Sequence, residues 1–557
     1  MSNIFKRLSR FWQELKRRKV IQVIIVYATA AFVIIELINN IAGPLGLPDW
    51  TPTLVIVLLI VGFPLAIIFS WIYDFSSKGI VRTDAPEQEV TTSRLPIMNS
   101  IVVLPFQNMS PDKEQDFFCD GITEEIINAL THITRLKVIA RTSAFALKGK
   151  FEDIRKIGRE LNVGTILEGS VRKSGNRLRI TAQLINVSDG THLWSESYDR
   201  EMKDIFEIQD EISMAIVDKM KIELFEGEKE KILKTRTSNL EAYNLYLKGR
   251  HCWYNDRSWD GLQEAMGYFN RAIEVDPDYA LAYTGLADTY CVLVDWGYLH
   301  PIETMPRIRE LISRSLEIDD SHAETYISLL YPEAFYDLDW EKAEHSTNKA
   351  LALNQNAPSV HHYYALYQMC LGNFDKALEH NRRARELDPL SAIFNFACGL
   401  ILNMSRQYEK SIAQFQKTLL IEKNFVLVYF WGLSPYIQLE RYEEAVSGYQ
   451  RLLLHNEETE KYASLVGDIF EKSGIEGFLR WLLEEGLGLD QGIYNHPYWR
   501  AVYHAWLKEK DRALDQLDKV MEMKSPRMPY IRVEPAFDFI RSDDRFMNIL
   551  KQIGPTL

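Results

Sequence analysis

Three carboxylates, Asp120, Glu124 and Glu125, stand within six residues of one another in "FFCDGITEEIINAL", where an apolar strand gives way to a helix. Residue types at this spacing could ligate a metal or move protons. Metal-assisted chemistry of that kind needs paired carboxylates, the first at the end of the opening strand. Here the strand "SIVVLPF" ends near Phe106 and 13 residues intervene before Asp120. No second acidic element with suitable surroundings follows. A helix start accounts for the same residues: Asp120 can accept hydrogen bonds from the first free N–H groups, and Glu124 and Glu125 lie near the positive end of the dipole. Ile122, Ile126, Ile127 and Leu130 then supply a face toward the sheet.

Other reactive groups have equally plain readings. The sequence contains no G-x-x-x-x-G-K-[ST], G-x-G-x-x-G, G-x-S-x-G or H-E-x-x-H. His361 and His362 are adjacent, so on a helix they point ~100° apart and do not chelate one ion together. The five cysteines are widely spaced with no C-x-x-C pair, which suggests buried free thiols in a reducing compartment. A net charge of -13 argues against a general nucleic-acid binder. No catalytic residue, cofactor or metal ligand is expected, and the chain reads as a non-enzyme.

The elements that must position these residues begin with two apolar runs. "VIQVIIVYATAAFVIIELINNI" (20–41) and "TLVIVLLIVGFPLAIIFSWIY" (53–73) are each long enough to span ~30 Å of hydrocarbon as helices. A cleaved signal peptide is the rival for the first, but its "ATA" sits inside the run. The segment 1–19 carries seven Lys or Arg against Glu14, and the loop 42–52 carries none. By charge bias both termini and the bulk of the chain are expected in the cytoplasm, with a multi-pass placement in a membrane and the lipid bilayer as a partner. Glu36, near the outer end of the first run, reads as an interfacial residue, and Gly62 and Pro64 as kink or packing residues.

After a polar linker (74–98), strand and helix patterns alternate over 99–224. The runs around Ser174, Gly175 and Asn176 read as a β-hairpin, and "DIFEIQDEISMAIVDKMKIEL" as a closing helix. The motifs "SIVVLPFQNMSPDKEQDFFCDGITEEIINAL", "IGRELNVGTILEGSVRK" and "LRITAQLINVSDGTHLWSESYDR", in this order, resemble the amino-terminal domain of TolB as it recurs in bacterial proteins paired with tetratricopeptide repeats. That resemblance implies a small α/β domain without enzymatic activity, in a protein of the bacterial inner membrane. Related chains often carry an adenylyl cyclase or winged-helix domain, so a nucleotide-signalling protein or enzyme, with a ligand held by the α/β domain, is the alternative. "FFCDGIT" differs from the cyclase metal motif in its internal spacing, because Gly121 and Ile122 directly follow Asp120.

Residues 225–522 are dominated by a period of 34. Ala343, Ala377, Ser411, Ala445, Leu479 and Ala513 mark it, with Ala365, Gly399, Gly467 and Ala501 twelve positions before four of them. Small residues at these points let paired helices approach, and Phe415 or Tyr449 fill the adjoining holes. About eight units are counted, the one around Leu479 being the most degenerate, and 523–557 reads as a closing cap. The fold class is therefore multi-domain: two transmembrane helices, a small α/β domain and an all-α tetratricopeptide solenoid. Family geometry selects Phe335, Tyr336, His362, Leu366, Met369, Phe396, Asn403, Phe430, Ile437 and Gln438 as a partner-binding groove for a protein or peptide, without the Lys and Arg of a carboxylate clamp. The expected role is a scaffold or adaptor with no nucleic acid partner.

Overall fold

The computed structural model describes residues 20–41, 48, 50–76, 79–82, 99–110, 115–150, 153–233, 237, 239–455, 457–484 and 496–554, with backbone only at 20–26, 39, 41, 65–76, 79–82, 255, 457 and 458. The chain divides into two compact units, Met1–Leu95 and Pro96–Leu557. The basic segment 1–19, most of the loop 42–52 and most of the linker 74–98 lie outside the described residues.

In the first unit, helices Val20–Ile41 and Thr51–Ile72 stand where the apolar runs predict them. Gly62 lets them touch: a Cβ there would lie 2.6 Å from the Tyr27 hydroxyl, which donates to the Leu59 carbonyl across the pair at 2.8 Å. The expectation of two membrane spans is overturned. Among the described residues no helix is long and apolar enough to cross a membrane. The transmembrane part of the fold class, the lipid partner and the multi-pass inner-membrane placement fall with it. Where a linker is expected, β1 (Tyr73–Ser76) and β2 (Gly79–Arg82) pair antiparallel.

In the second unit, β3 (Ser100–Val103) lies between β5 (Lys137–Val138) and β6 (Thr165–Ser174), parallel to both. β7 (Arg177–Asn186) and β8 (His192–Glu201) continue the sheet antiparallel, and β4 (Gln107–Asn108) pairs with β6. The predicted hairpin is the β6–β7 turn, where Gly175 takes φ 59°. Helices Asp116–Thr131 and Ile205–Lys219 cover one face with Ile122, Ile126, Leu130, Ile208, Ile212 and Ile216, all buried.

Among the described residues eight helix pairs follow in chain order, from Leu240–Asn255 with Trp259–Val275 to Pro497–Trp506 with Lys510–Glu522. They are tetratricopeptide-type pairs, with small residues at the crossings as the period requires. A Cβ on Gly399 would overlap the Phe415 ring. Gly399→Ala is expected to cost about 1–3 kcal/mol by overpacking, read as a lower urea midpoint; an unchanged midpoint would show that Phe415 steps aside freely. Two pairs are irregular for local reasons. Pro332 has no N–H to give, and the third pair's first helix widens to a π turn over Tyr331–Tyr336. The degenerate unit around Leu479 joins its two helices through a kink at Gly474 (φ 61°), within Glu457–Glu484.

The hydrophobic core ignores the sequence boundary near residue 224. One cluster runs without a break from the sheet (Ile101, Val102, Ile166) into the first repeats (Leu247, Phe269, Tyr279, Ile312).

Candidate functional site

The acidic cluster sits where the α/β domain meets the first repeat. Its helix starts at Asp116, five residues earlier than the capping reading requires, and Phe118 and Cys119 are already buried on its inner face. Asp120 therefore lies in the second turn and caps nothing. Its carboxylate receives Lys148 Nζ at 2.6 Å, with His251 Nδ1 at 3.7 Å. One turn on, Glu124 meets Arg141 Nε at 3.2 Å and Arg250 Nη2 at 3.6 Å, all three side chains below a fifth exposed. Tyr254 is held between those arginines, with Arg141 at 4.0 Å and Arg250 at 4.6 Å from its ring centre. Gly121 is bare because Leu247 of the first repeat helix occupies the space a methyl would need. The motif is thus a docking surface for the solenoid, its carboxylates engaged by cations.

A second seam joins the domain to the fourth and fifth pairs. Asn356 Nδ2 donates to the carbonyls of Thr131 (3.3 Å), Ile133 (3.0 Å) and Leu136 (3.3 Å). Asn354 Nδ2 donates to Thr131 Oγ1 at 2.9 Å. Asp388 accepts from the Ser143 N–H at 2.8 Å and from the Ser143 hydroxyl, and Ala140 N–H donates to the Leu387 carbonyl at 2.9 Å.

The residues selected as a groove are mostly interior. Phe335, Tyr336, His362, Met369, Phe396, Asn403 and Phe430 are buried, while Leu366, Ile437 and Gln438 are half-buried. Some pack between neighbouring helices: Phe396 stacks on Phe415 at 5.6 Å, His362 on Phe394 at 4.8 Å, and Asn403 Nδ2 donates to Ser434 Oγ at 3.1 Å. Others are covered by the chain's own C-terminal segment, which returns across the repeats. Tyr530 lies 6.3 Å from Phe335 and 5.9 Å from Trp431 between ring centres. Lys524 Nζ stands over Tyr336 at 5.1 Å, and Arg532 Nε donates to the Cys370 carbonyl at 3.1 Å. Arg527 Nη2 reaches Asp295 at 3.4 Å, Arg406 pairs with Asp538 at 2.5 Å, and Trp340 Nε1 donates to the Ile553 carbonyl at 2.7 Å. The expected cap thus packs along the inner side of the array as well as closing its end.

Basic groups, read as missing from the groove, occur further upstream. Arg250 lies on the first helix of the first pair, and Arg257 follows seven residues later in the loop to the second helix. The sequence signal was their spacing of two helical turns, in a unit that stands outside the strict 34-residue register.

Among the described residues no group of three or more His, Cys, Asp or Glu could hold a metal ion. Burial holds the His361 and His362 rings neutral, each pushed down to about 4, and His361 Nδ1 meets His380 Nδ1 at 3.1 Å. The five thiols are free, and burial pushes Cys119 and Cys370 up to about 12 and Cys252 to about 11, which makes them poor nucleophiles. On the outer edge, Leu420 and Leu454 stand at the same repeat position, 34 residues apart, 85% and 55% exposed.

Residues 98–215 match a family model described as the HilA/YgeH-like transcriptional regulator, second domain. Its bounds coincide with the α/β domain, under a different name from TolB. The chain is 38% identical over 262 residues to "Putative adenylate cyclase 3" of Rhizobium meliloti, covering 46% of this chain and 44% of that protein. It thus spans less than half of that relative. It is 22% identical over 218 residues to Superkiller protein 3 of Schizosaccharomyces pombe, covering 38% of this chain and 14% of that one. Among solved structures it resembles Pseudomonas aeruginosa PilF (TM-score 0.28, 16% identity, 44% of this chain and 92% of that one). YrrB, described as a tetratricopeptide protein with an unusual peptide-binding site, gives a TM-score of 0.25 at 18% identity over 36% of this chain and 97% of its own. At these scores the likenesses carry no structural argument.

Proposed function

We propose that the chain is a non-enzymatic scaffold that holds a partner protein on the outer edge of its repeats. The supporting observation is the pair Leu420 and Leu454, large apolar side chains left in water at equivalent places in successive units. Exposed leucines are unremarkable singly, but a repeated pair forms a patch, and patches on soluble surfaces mark contact sites. The filled inner side favours this edge over the groove. The finer reading of the α/β domain as TolB-like rests on the order of its motifs over 99–224.

The test is affinity capture from lysate with the intact chain and with Leu420→Asp/Leu454→Asp. A selective loss of captured proteins, with the melting temperature unchanged because neither residue is buried, is the expected result; an identical set would remove this edge from consideration. The name of the Rhizobium relative favours a second reading, work within a nucleotide-signalling system. Formation of cyclic AMP from ATP by the purified chain would replace the scaffold reading with that one.

A further inference from the structure

Arg257 stands apart from the other buried or half-buried arginines of the solenoid. Arg250 shares Glu124, and Arg527 has Asp295. Among the described residues Arg257 has no ion pair and no hydrogen-bond acceptor, although desolvation already disfavours its charge. Its guanidinium sits over the Trp253 ring at 3.7 Å from the ring centre, and the buried Trp253 Nε1 also lacks an acceptor there. The loop that presents it is fixed. Asp256 N–H donates to the Cys252 carbonyl at 2.9 Å, Asp256 Oδ1 accepts from Ser258 N–H at 2.9 Å, and Ser258 Oγ caps the next helix at Gly261 N–H (3.1 Å).

The surroundings are aromatic. Tyr363, Tyr254, Arg250 and Asp288 all act electrostatically on Arg257, so the first pair faces the second and the fourth across the inner side of the array. Tyr363 keeps 38% exposure, yet desolvation strongly disfavours its ionisation. Asp288, the carboxylate that acts on it electrostatically, makes no ion pair with Arg257 among the described residues and accepts from the Ser328 hydroxyl at 2.5 Å. An unpaired cation in a desolvated place is costly unless an anion joins it. The arginine fork matches a phosphate in shape and charge, and an exposed tyrosine ring beside it offers a stacking surface.

We propose that Arg257 and Arg250, with Tyr254 and Tyr363, form a binding site for an organic phosphate carrying a planar ring. The phosphate oxygens take the free N–H groups of Arg257, and the ring lies against Tyr363. The site is independent of the leucine edge and would be an effector site inside the scaffold.

The experiment is calorimetric titration of the full chain with ATP, with tripolyphosphate of similar charge and with inorganic phosphate. ATP is expected to bind most tightly, Arg257→Gln to weaken it by about 10–100-fold, as loss of charge-assisted hydrogen bonds does, and Tyr363→Ala to reduce the preference for ATP over tripolyphosphate. Arg257→Gln should melt no lower than the parent without ligand, because it removes an unpaired charge. Absence of ATP binding overturns the proposal, as does equal affinity in Arg257→Gln. A ligand-free melting temperature several degrees lower in that variant would make Arg257 structural and overturn it too. Equal binding of ATP and tripolyphosphate would overturn the ring part, leaving a simple anion site.

Discussion

A chain ending at Glu522 is expected to lose the fold of its later repeats, not to gain an open groove. The segment removed carries Ile531, Phe537, Ile540, Phe546 and Ile549, all buried in one cluster with Trp431, Tyr449 and Tyr498. Each such side chain contributes roughly 1.5–3 kcal/mol on burial, so five of them rival the whole stability of ~5–15 kcal/mol that a folded protein holds. Removing Arg532 and Ile553 would also leave the Cys370 carbonyl and the Trp340 indole N–H without the partners they now have. Circular dichroism melts and limited proteolysis would show it: the repeats around 331–455 become protease-sensitive. A truncated chain that melts with the parent and captures new peptides would instead make the segment a removable plug.

Asn356→Leu is expected to cost about 3 kcal/mol or more. It strips the Thr131 and Leu136 carbonyls of this donor in a buried seam, each unsatisfied buried group costing ~1–3 kcal/mol, while the Ile133 carbonyl keeps the Leu136 N–H at 3.1 Å. Arg383, which donates to Asn356 Oδ1 at 3.1 Å, loses its acceptor as well. Urea unfolding followed by total helicity and by the exchange of sheet amides should separate into two transitions, where the parent shows one. Coincident transitions at the parent midpoint would mean that the Asn356 bonds contribute nothing.

The same seam has a pH signature. Burial pushes the Asp388 carboxyl up to about 6, from an ordinary 3.8. A folded-state value above the unfolded one means that the folded chain binds this proton more tightly. Its contribution is complete below pH ~4 and fades as pH rises through ~6, about 3 kcal/mol in all. Asp388→Asn should remove that slope from the melting temperature between pH 4 and 7; parallel curves would count against it.

The local pattern carried much of this architecture. Period-2 runs at 165–186 and the 34-residue spacing of Ala377, Ser411 and Ala445 are short-range signals, and both the hairpin and the pairs stand where they point. The groove was illegible for a geometric reason. Repeat positions tell which side of a helix Phe335 or Phe430 occupies, and nothing about a segment 100 or more residues away that returns to cover it. The linker reading of 74–82 failed because a four-residue strand gives too little alternation to register. Asp120 was misplaced by one turn, since "DFFC" could end a loop or open a helix equally well. Arg257 lay in the turn of a unit that stands outside the strict 34-residue register.

The return of residues 524–554 has a consequence for how such a chain can evolve. An open array of helix pairs contacts only its neighbours, so duplication or loss of one unit lengthens or shortens it without penalty. Here Arg527 is tied to Asp295, Arg532 to Cys370 and Asp538 to Arg406. One unit more or fewer between those anchors would shift every tie by a whole repeat. Gene variants in this lineage should therefore keep a constant number of pairs between Asp295 and Arg527, and accept length changes only in exposed loops.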